Sequence, residues 1–305
     1  MANIAKIFVI IVTYKGHQWY ERCFASLRNS EYPVQTIVID NASNDGTVEY
    51  IREYFPEIHL VESKENLGFG RANNIGMRYA LDHGCDYVFL LNQDTWIEPC
   101  SISELVKIHQ QHLEYGVLSP MHVTADKKAL YIEIEDGKTD HANSLLSDCY
   151  FQSLKDVYTF KYINAAAWLM TRQTLETVGG FDPIFFLYGE DDNYLQRMEY
   201  HGVKLGLAPK IQITHDHQEN TGQMSEKYKQ YRVEQCRIVE YVNILHRFSI
   251  FKYQVYLLRK IFSSICQIDR RKAMLFKNEL NLFIKYKTQI KISRNINILK
   301  GRNWL

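Results

Sequence analysis

No stretch of the 305 residues approaches the roughly 18 consecutive apolar side chains that a bilayer-spanning helix needs. The apolar run Ile7 to Val12 leads straight into Thr13-Tyr14 without a cleavage-type site, so it does not read as a secretory signal. These two absences predict a cytoplasmic protein. Cysteine is sparse and scattered: Cys23, Cys85, Cys100, Cys149, Cys236 and Cys266 form no CxxC pair and no Cys/His ligand spacing. That argues against a disulfide framework and a structural zinc site. Beyond residue 224 there is no proline and the only glycine is Gly301, so the tail reads as uninterrupted helix. No internal repeat or low-complexity tract appears, and nothing points to nucleic acid.

The net charge of +1 conceals a strong asymmetry. Residues 221–305 carry 18 Lys or Arg against 5 Asp or Glu, whereas residues 1–220 carry 18 against 30. A basic tail suits an anionic surface, or else it docks on the acidic remainder of the chain. The first half alternates β-branched runs at Ile7–Val12, Thr36–Ile39, Ile58–Val61 and Tyr87–Leu91 with helical patterns near 18–29, 46–54 and 70–83. That alternation predicts an α/β fold with a mainly parallel central sheet flanked by helices. From 116 to 162 the pattern loosens, including Glu135-Asp136-Gly137-Lys138, and reads as an insertion shaping an acceptor side. A second ordered block spans Tyr162 to His217, with a strand at Ala165–Met170, a helix to about His201, and strands near 204–207 and 211–214. The expected division is 1–223 as a catalytic domain and 224–305 as a basic helical extension.

Two acidic clusters carry the chemistry. Asp94 ends the apolar run Tyr87–Gln93, which places a carboxylate at the carboxyl edge of a sheet, where open α/β folds bind ligands. A carboxylate there suits a hard divalent cation that bridges protein oxygen to substrate phosphate. Glu190-Asp191-Asp192 follows the aromatic run Phe185-Phe186-Leu187-Tyr188. Acids at a helix start are ordinary capping residues. Beside an apolar wall, however, a carboxyl pKa rises and the group can serve as a base. His215 and His217, two apart after the next strands, are placed to face the same side. Asp40, at the end of the second strand, is a carboxylate that could accept hydrogen bonds from a base or ribose, or simply cap a βα turn. Asn66-Leu67-Gly68-Phe69-Gly70-Arg71-Ala72-Asn73-Asn74 is a glycine-bearing helix start suited to phosphate, with Arg71 as a diphosphate partner. It lacks the third glycine of the dinucleotide fingerprint and follows the third strand, which argues against a nicotinamide cofactor.

Taken in order, Val12-Thr13-Tyr14, Asp40–Thr47, Asn66–Asn74, Leu90-Leu91-Asn92-Gln93-Asp94 and Gly179-Gly180-Phe181-Asp182 leading into Glu190-Asp191-Asp192 resemble the family 2 glycosyltransferases. The resemblance spans about residues 6–217 and implies the GT-A nucleotide-diphospho-sugar transferase fold. It further implies an inverting transfer from a nucleotide-diphosphate sugar, UDP- or dTDP-linked, and is nearest in pattern to rhamnosyltransferases of surface-polysaccharide assembly. On this resemblance Thr13, Tyr14, Asp40 and Asn66 hold the nucleoside. Gly68, Arg71, Asn74 and Gln93 are expected to complete the donor set. Asp94, Asn92 and His215 hold Mn²⁺ or Mg²⁺. Asp191 is the catalytic base, flanked by Glu190 and Asp192.

Two positions depart from the family pattern. Asn92 stands for the first acid of the D-x-D motif, and Asn193 for the last acid of E-D-x-D. Asn92 still offers an oxygen, but strict metal dependence is put in question, and a catalytically impaired nucleotide-sugar-binding protein is the alternative. The membrane spans and Q-x-x-R-W motif of processive members are absent, so single-sugar addition to a glycan or lipid-linked acceptor is expected. The tail interleaves apolar side chains such as Phe251, Tyr256, Leu257 and Phe262 with Arg247, Lys252, Arg259, Lys260, Arg270, Arg271 and Lys272. Such helices either lie at an anionic membrane as a peripheral anchor or pack their apolar face on the catalytic domain or a second subunit.

Overall fold

A computed structural model describes residues 4–130, 142–216 and 225–305. In chain order its elements are β1 (Ile7–Thr13), α1 (His17–Arg28), β2 (Val34–Asp40), α2 (Thr47–Tyr54), β3 (His59–Glu62), α3 (Gly68–Asp82), β4 (Tyr87–Leu91), β5 (Thr95–Ile97) and α4 (Ser101–Gln111). Then come β6 (Tyr115–Val123), α5 (Ala142–Tyr150), β7 (Tyr158–Phe160), β8 (Ala167–Thr171), α6 (Arg172–Val178), α7 (Glu190–His201) and β9 (Lys204–His215). Three helices follow: α8 (Glu226–Val242), α9 (Ile250–Cys266) and α10 (Arg270–Asn297).

The strands form one sheet in the order β3-β2-β1-β4-β8-β6-β9-β5, with β7 paired to β9. The pairings make β3, β2, β1, β4, β6 and β9 run in one direction, and β8, β5 and β7 in the other. Strands in such a sheet are covered on both faces, which is why β1 reads as Ile-Phe-Val-Ile-Ile-Val without polar alternation. Phe8 and Ile10 pack toward α3, α6 and α7, while Ile7, Val9 and Ile11 pack toward α1 and α4. The expected α/β architecture with a mainly parallel sheet is therefore present.

The stretch read as an acceptor-side insertion is different. Its first part is β6, a buried strand between β8 and β9. Gly116, Ser119, Pro120 and His122 break its apolar run and hide it from pattern reading. Pro120 sits where the β6–β9 register shifts, the kind of irregularity at which an interior strand accepts proline. The strands expected at 204–207 and 211–214 are one continuous β9 with that same irregularity. Glu135–Lys138 and His217 lie outside the described residues.

The helices α8–α10 build a third apolar cluster from Ile238, Tyr241, Val242, Leu257, Phe283 and Ile290, into which Phe185 inserts from the main body. The end of the chain returns to that body. Asn297 Nδ2 donates to Asp182 Oδ2 at 2.9 Å, and Gly180 N donates to the Asn303 carbonyl at 2.8 Å. A side chain at Gly180 would collide with Asn74 and Leu305, so glycine permits this close approach.

Candidate functional site

Because six strands share a direction, their carboxyl ends deliver Thr13, Asp40, Asn92, His122 and His215 to one edge of the sheet. Antiparallel β8 starts at that edge and presents the preceding strap, Tyr162–Ala166.

At the end of β2, Asp40 is buried and its carboxylate is held from three directions. Thr13 Oγ1 donates to Oδ1 at 3.0 Å, Ser43 N donates to Oδ2 at 3.0 Å, and the Ser43 hydroxyl also donates to Oδ1. Its neighbour Asn41, which sequence reasoning passed over, fastens β2 to the start of α3. Asn41 Nδ2 donates to the Gly68 carbonyl at 3.1 Å and Oδ1 accepts from Leu67 N at 3.2 Å. Tyr14 stands exposed at the end of β1. Its backbone is clamped by Gln93, whose Oε1 accepts from Tyr14 N at 2.9 Å and whose Nε2 donates to Tyr14 O at 3.2 Å. Gln93 thus ties two loops of the edge together.

The glycine-bearing helix start is put to structural use. Asn66 Oδ1 accepts from Gly68 N at 2.9 Å in a local turn. Gly68 has φ +78°, and a Cβ there would lie 1.9 Å from the Phe186 carbonyl oxygen. Its backbone therefore meets the segment preceding the acidic cluster. Arg71 donates to the Pro183 carbonyl at 3.2 Å. Asn74 is buried, with both amide hydrogens engaged by Phe181 O at 2.8 Å and Trp304 O at 3.2 Å, while Oδ1 accepts from Phe181 N at 2.7 Å. This amide, expected in the donor set, holds α3 to the Gly179–Phe181 turn.

Asp94 and His215 come together across the β5–β9 pairing, where Thr95 stands opposite His215. His215 Nε2 is 3.4 Å from Asp94 Oδ1, and that oxygen is buried without a hydrogen-bond donor among the described residues. His122, also missed in the sequence because it lies within the supposed insertion, is fully buried and meets the His215 ring edge-on at 5.8 Å. Burial first, and the His215 neighbour second, push the His122 pKa down to about 3, so this ring is neutral. Trp19 Nε1 donates to Asp216 Oδ2 at 3.1 Å and closes the side of the group. A buried carboxylate oxygen lacking a donor, beside an imidazole nitrogen, fits a divalent cation. Among the described residues no set of three His, Cys, Asp or Glu gathers there, so a cation held by Asp94 and His215 would take further oxygens from Asn92, substrate phosphate or water.

The second cluster opens α7 after Gly189, whose φ of +90° turns the chain into the helix. Asp191 Oδ1 accepts from Asp192 N at 2.9 Å, and Oδ2 accepts from Tyr162 Oη at 3.3 Å. Burial raises the Asp191 pKa, opposed by hydrogen bonds that include the Ala165 N–H. Glu190 is raised far above the usual carboxylate range, by burial first and by Asp191 second, and its Oε2 has no partner among the described residues. The aromatic wall expected to cause this is only part of the reason. Phe185 turns into the α8–α10 cluster and Phe186 is half-exposed, while the Glu190 Cβ lies against Gly70 of α3. Asn193 is wholly buried behind the cluster, and Asp192 is only partly covered. The two acidic centres share one strap: Ala165 bonds Asp191, and the adjacent Ala166 carbonyl accepts from Asn92 N at 2.9 Å.

Known proteins are similar in both sequence and structure. The model of the family described as Glycosyl transferase family 2 matches residues 8–164. The low-salt glycan biosynthesis hexosyltransferase Agl10 of Haloferax volcanii is 22% identical over 228 residues, covering 73% of this chain and 71% of that protein. The N-acetylglucosaminyl-diphospho-decaprenol L-rhamnosyltransferase of Mycobacterium tuberculosis is 27% identical over 238 residues, covering 70% and 77%. Among solved structures, the mannosyltransferase PcManGT from Pyrobaculum calidifontis, in complex with GDP-Man and Mn²⁺, superposes with a TM-score of 0.58 at 18% identity, covering 97% of this chain and 88% of that one. That likeness confirms the expected fold.

Proposed function

The chain belongs to glycosyl transferase family 2, and on that premise we propose that it moves a single sugar from a UDP- or dTDP-linked donor to an acceptor hydroxyl, with inversion at the anomeric carbon. That it is a glycosyltransferase using a nucleotide-sugar donor follows from its relatives. The finer reading rests on one observation: Asp191, raised in pKa, is bonded by Ala165, and the next residue's carbonyl, Ala166 O, accepts from Asn92 N, two residues before Asp94 of the Asp94–His215 pair.

In this reading Asp191 accepts the proton of the acceptor hydroxyl as its oxygen bonds to the anomeric carbon and the bond to the diphosphate breaks. Tyr162 and the Asp192 N–H hold the Asp191 carboxylate in place. Asp94 and His215, with Asn92 beside them, would hold Mn²⁺ or Mg²⁺, which supplies positive charge to the departing diphosphate. Asp40, Thr13 and Tyr14 line the nucleoside end, on a backbone fixed by Gln93, Asn41 and Asn66. The relatives' names, glycan biosynthesis and a diphospho-decaprenol substrate, support a glycan or lipid-linked acceptor in surface polysaccharide assembly. An enzyme with such an acceptor would work at the cytoplasmic face of a membrane. A panel of nucleotide sugars with Mn²⁺ or Mg²⁺, read by released nucleoside diphosphate, tests the reading. Turnover with one donor is expected, and the absence of both turnover and nucleotide binding would sink it.

A further inference from the structure

We infer that the tip of the α9–α10 hairpin is a docking surface for an anionic lipid membrane. Leu257 and Ser264, seven apart, turn inward and are buried. On another face of α9, Phe251, Leu258, Phe262 and Ile265 follow one another at spacings of seven, four and three, and all are exposed, Phe262 at 70%. The stripe continues around the turn through Ile268, 83% exposed, to Met274 and Leu275 on α10. Side chains at 7, 4 and 3 spacing share one helical face, so this is a continuous apolar strip turned outward.

The surrounding charge identifies the occupant. Residues 250–278 hold seven Lys or Arg and a single acid, Asp269. Arg270, Arg271 and Lys272 crowd the first turn of α10, where the helix dipole disfavours cations, and no acid sits in that turn. Lys272 pairs with the N-cap Asp269 at 3.0 Å, while no ion pair holds Arg270 or Arg271 among the described residues. An apolar strip edged by basic side chains matches the boundary between acyl chains and anionic headgroups. A second copy of the chain would bring like charges face to face. A nucleic acid would satisfy the cations and leave the strip in water.

Co-sedimentation of the full chain with vesicles decides it. Binding is expected to vesicles containing roughly one third phosphatidylglycerol, not to pure phosphatidylcholine, and should weaken as salt rises. Replacing Arg259, Arg270 and Arg271 by Gln should weaken it about 100-fold, from roughly 1 kcal/mol per basic group. Phe262→Ser with Ile265→Ser should also abolish it, and both variants should melt as the parent does because these side chains are exposed. No binding to anionic vesicles, or binding that both variants retain, overturns the inference. So does self-association that Phe262→Ser with Ile265→Ser removes without any vesicle binding. Vesicle binding is read without turnover, so its failure leaves the transfer reaction untouched.

Discussion

Replacing Asn74 by alanine separates a structural amide from a donor-binding one. In the fold this side chain satisfies both the N–H and the carbonyl of Phe181 and also bonds the Trp304 carbonyl. Alanine leaves the two Phe181 groups buried without partners, at about 1–3 kcal/mol each, so a loss of about 4 kcal/mol is expected. That is a large share of the usual 5–15 kcal/mol of folding stability. At about 2 °C per kcal/mol for a chain of this size, Tm should fall by about 8 °C. Thermal melts give this number directly, and donor KM measured well below the transition should stay near the parent value. A melting point within about 2 °C of the parent, together with a donor KM raised about tenfold, would refute the reasoning and return Asn74 to the nucleotide sugar.

Asp94→Ala should remove the strengthening of nucleoside diphosphate binding by Mn²⁺, a change of at least about tenfold by calorimetric titration with and without metal. The acid limb of kcat/KM should lie above the ordinary Asp value of about 4, because burial raises the Asp191 pKa and the base works only when ionised. Glu190 has a folded pKa raised by burial and by Asp191, so its contribution to stability is fully present below about pH 4.3 and is lost as pH rises toward the folded value. Glu190→Gln should therefore raise Tm relative to the parent at neutral pH and not at pH about 4, as paired melts would show.

The strand–helix alternation of residues 7–91 was legible because β1 and β4 are nearly unbroken apolar runs and β2 ends in Thr-Ile-Val-Ile before Asp40, with helical patterns between them. Strand β6 was not, since Gly116, Ser119, Pro120 and His122 interrupt it and its burial comes from neighbours distant in sequence. The same blind spot hid His122, whose significance exists only through the ring of His215. Asp94 and Glu190–Asp192 could be picked out as charges directly after apolar segments. What the Asn side chains do could not be read: Asn41, Asn66 and Asn74 lie in motif-like segments, yet their amides bond backbone groups that pattern alone does not locate. The tail was legible as helical and basic. Its division into buried Leu257 and exposed Phe262 depended on how three helices meet.

Asp191 as the base is tested most directly by measuring transfer and nucleotide binding side by side in Asp191→Asn and Asp192→Asn. Loss of a general base removes about 10²- to 10⁴-fold from turnover, and the carboxamide should leave donor affinity intact because only the acceptor step needs the proton acceptor. Asp192→Asn should retain activity. An active Asp191→Asn beside a dead Asp192→Asn would contradict the account and move the base by one residue along α7.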